Sequence, residues 1–339
     1  MKIVYVLSGA VAFVAASLFN GTAHAQITNW QDHSNTPAGY WVTANQIANA
    51  KRVEAATGGK LKINVLPAGS SGYKDSQVLD AVSENLLQMA ELPGSWAGGQ
   101  EQIMEMMDLP LFVPGDIQFR FKLEDTLRPL YADLLKKKYE VGVYTLLQHR
   151  PRRLYTRNAV RTLSDLKGLK IRAIGPADSA FVRGIGAEGT TTNWLEVYTA
   201  LQQGVIDGVM ATDGVVYPMK FYEVAPNIYD TENAGPSVFI IYSEKALAKL
   251  PPDVREKYLG MRQTLTDANR AILREEDAKA RQVLLQNGMK VHSVTDADQA
   301  KMRVVAKQIV DQWAARLDRE SRKIYDVARS MIDSYYAGK

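Results

Sequence analysis

Short apolar runs that alternate with amphipathic stretches are the feature that most limits how this chain can fold. Residues 61–66 alternate apolar and polar side chains with period two and stop at Pro67, which predicts a strand. Before them, residues 41–48 repeat apolar side chains at helical spacing, and Gly58-Gly59 predicts the end of that helix. The same alternation continues along most of the chain, which predicts an α/β protein.

Length and charge narrow the classes of protein further. The chain has 339 residues, enough for two domains of roughly 150 residues each. Its 41 Lys and Arg nearly balance its 37 Asp and Glu, so the net charge is only +4 and nucleic acid is not an expected partner. Cysteine is absent, which excludes disulfides, thiolate metal sites and cysteine nucleophiles.

The first 25 residues have the pattern of a secretory signal peptide. Met1-Lys2 is followed by an almost entirely apolar run over residues 3–19 and by Ala23-His24-Ala25, a small-residue cleavage box. A membrane anchor is the alternative interpretation, but the apolar run is at the short end for a membrane span. We expect cleavage after Ala25, export to the periplasm, and no membrane insertion of the mature chain.

Motifs for catalysis or cofactors are scarce. The sequence has no H-E-x-x-H metal motif and no evident nucleophile–base pair, so we predict no catalytic residue, cofactor or resident metal. Residues 184–189 match G-x-G-x-x-G, which binds dinucleotides only when it follows a strand and opens a helix. Here residues 177–183 are predicted to be helical and residues 190–192 extended. We therefore expect these glycines to end a helix and to form the turn that leads into a strand.

One arginine stands inside an apolar strand. In residues 169–174, Lys170, Arg172 and Ile174 share one face, and a solvated face is the simplest interpretation. However, the strand ends at Gly175-Pro176, and open α/β sheets bind ligands at the C-terminal ends of their strands. An arginine there can hold a carboxylate with two parallel hydrogen bonds. A second basic cluster at residues 150–153 is by composition a solvated patch.

Five segments together resemble one family. They are D-L-K-G-L-K-I-R at 165–172, E-V-Y-T-A-L-Q-Q-G-V-I-D-G at 196–208, T-G-G-K-L-K-I at 57–63, D-L-P-L-F at 108–112 and K-F-Y-E-V at 220–224. In this order they are similar to segments of the solute-binding proteins of TRAP (tripartite ATP-independent periplasmic) transporters, the dicarboxylate-binding-protein-like (DctP) family. The resemblance covers nearly all of the mature chain.

The resemblance implies a fold. It is a two-domain periplasmic-binding-protein-like α/β fold of the Venus-flytrap type, with mixed sheets, crossover strands and a long inter-domain helix. Domain I is expected to comprise residues 26–149 and about 237–277. Domain II is expected to comprise residues 150–236 and about 278–339, with the ligand cleft between the two domains.

The resemblance also implies ligand contacts. Arg172 matches the arginine that grips the ligand carboxylate, and Arg152 matches a second arginine that some members have. Trp194 matches an aromatic residue that stacks near the ligand. From the first domain, the family contacts fall near Asn35, Tyr73 and the Ala90-Glu91 pair, although a single loop carboxylate such as Glu91 is ordinary on its own.

Two departures from the family pattern affect the expected ligand. Many members have R-x-P after the arginine strand, whereas two further residues separate Ala173 from Pro176 here. Ala211 stands where many members have an asparagine that touches the ligand, so Thr212 or Asp213 is a candidate to replace it. Trp194, Tyr73 and Trp96 either frame a ring or pack in the core. We favour an aromatic or otherwise apolar monocarboxylate as the ligand.

The predicted function is capture without chemistry. A small organic carboxylate enters the cleft, pairs with Arg172, and is presented to the membrane subunits of a TRAP transporter after the cleft closes. One alternative is an exported lyase or hydrolase that uses Glu91 or Asp213 as a general base. Another is a periplasmic subunit that senses the ligand.

Overall fold

The computed structural model describes residues 27–233 and 235–338. The predicted signal peptide and its cleavage site after Ala25 lie outside these residues. The described residues form two mixed β-sheets with helices packed around them, which confirms the predicted α/β class with crossover strands. Among the described residues, no helix is both long and apolar enough to cross a membrane.

The first sheet has five strands in the order β2-β1-β3-β10-β4. These strands are β1 (Thr28–His33), β2 (Leu61–Leu66), β3 (Met89–Pro93), β4 (Val141–Gln148) and β10 (Ser237–Ser243). β1 runs parallel to β2 and β3, whereas β10 lies between β3 and β4 and is antiparallel to both. A strand from late in the chain therefore completes a sheet that begins near its start.

The second sheet has six strands in the order β11-β9-β5-β8-β6-β7. These strands are β5 (Arg152–Thr156), β6 (Lys170–Arg172), β7 (Glu188–Thr190), β8 (Gly208–Ala211), β9 (Asn227–Asn233) and β11 (Lys290–Ser293). β6 is parallel to β7 and β8, and β5 is antiparallel to β8 and β9. The C-terminal ends of β6 and β8 consequently lie side by side.

Helices cover both sheets. The first seven are α1 (Trp41–Ala56), α2 (Val78–Ser83), α3 (Gly94–Ala97), α4 (Ile117–Tyr139), α5 (Pro176–Gly184), α6 (Val197–Gln203) and α7 (Asp213–Val216). The others are α8 (Glu244–Ala248), α9 (Pro252–Gly260), α10 (Arg262–Gln286), α11 (Asp296–Ala314) and α12 (Arg319–Ala337). The G-x-G-x-x-G segment joins the end of α5 to β7, so its predicted helix-to-strand turn is confirmed and a dinucleotide fingerprint is not present there.

Two of the passages of the chain between the sheets lie next to each other. The chain leaves the first sheet after β4 and returns to it between β9 and β10. The backbone N–H of His149 in the first crossing donates to the carbonyl of Pro236 in the second, at 3.0 Å. The buried guanidinium of Arg120 on α4 donates to the His149 carbonyl at 2.8 Å and to the Pro114 carbonyl at 2.7 Å. The buried Arg120 side chain thus connects α4 to the first crossing by a hydrogen bond.

Helix α10 connects the two sheets on another side. Near its middle, Arg270 pairs with Glu124 on α4 at 2.8 Å. Further along, Arg281 pairs with Asp213 at 3.1 Å and with Asp230 at 2.7 Å, both beside the second sheet. The ion pairs therefore hold one rigid helix to both halves of the molecule, as expected for a long inter-domain helix.

The last helix packs on the first half rather than the second. Ile324, Ala328 and Ile332 of α12 belong to the same buried cluster as residues of α4 and β4. The sequence predicts that residues from about 278 to 339 belong to domain II. The packing of α12 against α4 instead favours counting this helix with the first half.

Local patterns predicted most long elements well. The predicted strand over residues 61–66 and the predicted helix over residues 123–138 correspond to β2 and most of α4. Residues 106–113 had the pattern of a strand end or loop, but their first part continues a 3₁₀ helix, Gln102–Asp108. Polar residues recur at every third position of that helix, but the segment is short and almost wholly buried, so no exposed polar face marks it as a helix.

Candidate ligand-binding cleft

A cavity of about 580 Å³, counting the part that opens to solvent, lies between the two sheets where the crossings meet. Several of its lining residues stand at or just beyond C-terminal ends of strands; among them, Asn35 follows β1, Arg172 ends β6 and Ala211 ends β8. This position agrees with the rule that open α/β sheets bind ligands at those ends. The full lining comprises Asn35, Thr36, Tyr40, Glu91, Pro93, Trp96, His149, Arg152, Arg172, Ile174, Trp194, Met210, Ala211, Thr212, Val215, Pro236 and Val238.

Arg172 is a buried cation at the wall of this cavity. Only 2% of its surface is exposed, and its Nε donates to the carbonyl of Thr192 at 3.2 Å. Within the part of the chain that the structure describes, no carboxylate forms an ion pair with it. Burial lowers the pKa of Arg172 to about 10, against the opposing effect of Asp75 and Asp178 at longer range. The side chain therefore stays charged at neutral pH and lacks a close anion.

Arg152 is a second buried arginine in the same wall, but it has a carboxylate partner. Its Nη2 lies 3.4 Å from Oδ1 of Asp178 and donates to the carbonyl of Asp108 at 3.1 Å. Both members of the ion pair are almost fully buried. Composition favoured a solvated basic patch at residues 150–153. Arg152 is buried and paired, so it does not belong to such a patch.

Glu91 faces the cavity from the first sheet. Its Oε2 accepts from the hydroxyl of Ser34 at 2.8 Å and from the backbone N–H of Asn35 at 3.3 Å. The side-chain amide of Asn35 in turn donates to the backbone carbonyl of Glu91 at 3.1 Å, which fixes the Asn35 side chain. Burial raises the pKa of Glu91 above its ordinary value, and the hydrogen bonds to its carboxylate oppose that shift.

Aromatic rings form much of the remaining wall. The Trp194 ring lies 5.2 Å from Cζ of Arg172 and packs edge-on against Phe221, so it belongs both to the cavity and to the core. Trp96 approaches from the first half, and its buried indole Nε1 has no hydrogen-bond partner among the described residues. Such an N–H is available to a ligand acceptor.

Two predicted site residues lie elsewhere. The Asp213 carboxylate receives the Tyr155 hydroxyl and pairs with Arg153 at 3.2 Å and with Arg281 at 3.1 Å, away from the cavity. Asp213 does not line this cavity, and its long-range partners already satisfy its carboxylate, so its role as a ligand contact stays a prediction. Tyr73 lines a neighbouring space at the mouth of the cleft, together with Asp75 and Asn193, and this space shares Trp96 and Trp194 with the cavity.

The structure brings the remaining predicted residues together. Arg172, Arg152, Trp194, Glu91, Asn35 and Ala211 all line the one cavity, and Thr212 joins them. Sequence reasoning missed Tyr40, His149 and the two apolar residues Val215 and Val238. Burial lowers the pKa of His149 to about 4, so the ring is neutral near pH 7. None of these four had a local signal, because only the crossings and helix packing bring them here.

Comparison with known proteins settles the family. Residues 40–317 match the model of the family described as bacterial extracellular solute-binding protein, family 7, also called DctP. The chain belongs to this family. It is a TRAP solute-binding protein with the two-domain periplasmic-binding fold, and such proteins are periplasmic receptors for small organic acids that work with TRAP membrane subunits.

Individual relatives agree with this assignment. A solute-binding protein of Sulfitobacter sp. is 29% identical over 214 residues, which span 62% of this chain and 64% of the relative. The structure of DctP7 of Bordetella pertussis, described as an extracytoplasmic solute receptor binding pyroglutamic acid, has a TM-score of 0.84 and 25% identity over 89% of this chain and 99% of its own. A TRAP periplasmic solute binding protein from Desulfovibrio salexigens with bound orotic acid has a TM-score of 0.83 and 18% identity, covering 90% and 99% of the two chains. At 18% identity, the similarity to the Desulfovibrio salexigens protein shows a shared fold only.

Proposed function

We propose that this TRAP solute-binding protein binds one small organic monocarboxylate in the cleft and delivers it to the membrane subunits of its transporter. The observation that carries the proposal is the Arg172 guanidinium, buried at the cavity wall without a close carboxylate. A buried cation without an anion costs free energy, and a ligand carboxylate would offset that cost with charge-assisted hydrogen bonds. Arg172 would thus hold the carboxylate, with the Trp194 ring packed beside it.

The charges in the cavity favour one carboxylate over two. Arg152 is already paired with Asp178, so it offers less uncompensated charge to a ligand than Arg172 does. Glu91 lies on the opposite wall and would repel a second carboxylate whenever it is ionised. A monoanion placed with its charge toward Arg172 avoids this repulsion.

The rest of the wall suits a compact, largely apolar or cyclic body. Ala211, Val215 and Val238 provide no polar group, and the rings of Trp194 and Trp96 lie on the two sides. The free indole N–H of Trp96 and the oxygens of Glu91 could serve an amide-like group on the ring. Pyroglutamate, which DctP7 binds, has this combination of one carboxylate, a small ring and an amide.

The enzyme alternative has no support in this geometry. Of its two candidate bases, Asp213 lies in an ion-pair network outside the cavity. Glu91 lines the cavity, but its carboxylate is held by Ser34 and Asn35. We further propose that the two sheets are the centres of the two closing domains, largely as predicted, with α12 added to the first.

The test is a thermal-shift screen followed by calorimetry. Pyroglutamate, orotate, glucuronate and succinate are compared, and we expect a cyclic monocarboxylate to raise the unfolding temperature most. Arg172→Ala should weaken binding of the best ligand at least about 30-fold, because removing one partner of a buried charge pair costs about 2–5 kcal/mol. Arg161→Ala, at an exposed arginine of the same domain, is the matched control.

Two results would overturn parts of the proposal. If Arg172→Ala folds normally by circular dichroism and binds as tightly as the unsubstituted protein, Arg172 does not hold the ligand carboxylate. If succinate or glucuronate binds best, the ligand class is wrong even though the receptor function stands.

A further inference from the structure

The loop that follows β2 borders the mouth of the ligand cleft. This mouth loop comprises residues 67–74, and a Cβ on its Gly69 would lie 3.0 Å from the side chain of Leu195 in the second half. The hydroxyl of Ser71 in the loop lies 2.6 Å from Nδ1 of His33, the last residue of β1. The mouth loop is therefore attached to the first sheet through a histidine that is only 3% exposed.

The same histidine holds a side chain of the ligand cavity. Its Nε2 lies 2.8 Å from Oδ1 of Asn35, which lines both the cavity and the space at the mouth. The amide nitrogen of Asn35 donates to the backbone carbonyl of Glu91 at 3.1 Å. All three residues are more than nine-tenths buried. His33 thus lies between the mouth loop and the part of the cavity wall that Asn35 and Glu91 form.

The hydrogen bonds along this series of contacts run in one direction. A carbonyl oxygen can only accept, so the Asn35 amide must turn its nitrogen toward Glu91 and its oxygen toward His33. Burial lowers the pKa of His33 below its ordinary value, so the ring is neutral near pH 7 and has one proton. That proton must be on Nε2, which donates to Asn35. Nδ1 is then the acceptor for the Ser71 hydroxyl, whose oxygen accepts the backbone N–H of Tyr73 at 3.3 Å.

We propose that His33 is a positioning residue for ligand binding, which fixes the Asn35 side chain at the cavity wall through its Nε2–H. The inference rests on the proposed binding of a carboxylate in this cavity. His33 does not line the cavity itself, so it acts through Asn35. With its oxygen held by His33 and one N–H held by Glu91, the Asn35 amide has one N–H left for an acceptor on the ligand.

Three substitutions separate the two hydrogen bonds of His33. His33→Gln places an amide nitrogen near the position of Nε2, so it can still donate to Asn35 but loses the acceptor for Ser71. His33→Asn places an amide oxygen near the position of Nδ1, so it can still accept from Ser71 but does not reach Asn35. His33→Phe keeps a ring of similar shape and loses both hydrogen bonds.

Calorimetry then measures how tightly each variant binds. The probe is whichever of pyroglutamate, orotate, glucuronate and succinate raises the unfolding temperature of the unsubstituted protein most. We expect His33→Asn and His33→Phe to bind it about 10-fold more weakly, because each leaves the buried Asn35 oxygen without its donor. His33→Gln should stay within about 3-fold of the unsubstituted protein, because it retains that donor.

His292→Asn is the matched control. Nε2 of His292 lies 3.2 Å from Oδ1 of Asn227, which is the same kind of contact as that between His33 and Asn35. Neither His292 nor Asn227 lines the cavity or the space at its mouth. We therefore expect this variant to bind the probe as tightly as the unsubstituted protein.

Nitrogen NMR tests the position of the proton without a ligand. Three histidines follow the predicted signal peptide, at positions 33, 149 and 292, and the ring signals missing from His33→Gln belong to His33. At pH 7.5 we expect Nε2 of this ring to carry the proton and Nδ1 to be unprotonated. A histidine that only packs in the core would have no such requirement.

The outcomes separate this inference from the proposed function. Weaker binding by folded His33→Asn or His33→Phe, with affinity retained in His33→Gln and His292→Asn, supports it. It is overturned if Nδ1 carries the proton, if folded His33→Asn binds like the unsubstituted protein, or if His33→Gln is weakened as much as His33→Phe. In each of these cases, loss of binding in Arg172→Ala would still support the carboxylate site in the cleft.

Discussion

Glu105 is a buried acid that joins the two halves of the molecule. It lies in the 3₁₀ helix before α4, and its Oε1 accepts the backbone N–H of Ala177 in the first turn of α5 at 2.9 Å. Burial raises the pKa of Glu105 to about 7, and the neighbouring carboxylates Asp108 and Asp178 add to the shift. Burial and these two carboxylates therefore disfavour the ionised form of Glu105, although the hydrogen bond from Ala177 favours it.

Replacing Glu105 with Gln should change how stability depends on pH. Because the folded pKa of about 7 exceeds the ordinary value of 4.5, the folded protein holds this proton more tightly than the unfolded chain does. Stability should therefore fall as the pH rises from about 4.5 to about 7, by at most about 3 kcal/mol from this residue. Urea denaturation of Glu105→Gln between pH 5 and 7.5 should show a shallower decline. Parallel profiles for Glu105→Gln and the unsubstituted protein would contradict this, and exposed Glu84→Gln is the control.

The predictability of single residues depends on where their partners lie. Arg172 could be predicted because its position in an apolar strand and the family motif around it are both local. Asp213 could not be placed, since its partners Arg153 and Arg281 lie 60 and 68 positions away in the chain. His149 had no local sign of its role, because its place in the cavity depends on the crossing of two distant segments.

Gly235 lies in the second crossing at a point where no side chain fits. A Cβ at this position would overlap the carbonyl oxygens of His149 and Arg150 in the first crossing. Gly235→Ala should therefore separate the crossings and destabilise the protein by at least about 2 kcal/mol, which urea or thermal unfolding measures. Gly99→Ala is the matched control, because a Cβ there meets nothing within 4 Å. Equal stability of the two variants would show that the crossings can move apart without cost.

Elements with strong periodicity were predictable, and short buried ones were not. Apolar and polar residues alternate in β2 because one of its faces is more exposed. The last turn of α4 carries three lysines, whose positive charge is favourable at the negative C-terminal end of the helix dipole. The helix Gln102–Asp108 is almost wholly buried, and its polar residues Gln102, Glu105 and Asp108 bond inside the protein, so they do not form the exposed polar face by which a helix is usually predicted. The side on which α12 packs likewise depends on α4, which precedes it by almost two hundred residues.

The mouth of the cleft is narrow in this structure. The loop after β2 reaches the second half, where a Cβ on Gly69 would lie 3.0 Å from the Leu195 side chain. Lys74 and Glu196, both exposed, line the same opening from the two sides. The arrangement corresponds to a closed cleft, and a ligand that contacts both halves would favour it over an open one.

Cross-linking across the mouth should therefore depend on ligand. The chain has no cysteine, so Lys74→Cys with Glu196→Cys introduces the only two thiols. We expect a short bis-maleimide to join them faster when the best ligand of the thermal screen is present at saturation. The control pair combines Glu196→Cys with Lys51→Cys on α1, which does not line this opening. Equal rates with and without ligand would contradict ligand-driven closure.

The position of β10 in the first sheet has a consequence for how the protein is made. β10 lies between β3 and β4 in the sheet. The ribosome makes it only after five of the six strands of the second sheet. Until residue 243 has emerged from the ribosome, the facing edges of β3 and β4 cannot be bridged. From the end of β4 to the end of β10 the nascent chain must therefore carry two unpaired edges, a state that folds slowly and that chaperones can hold open.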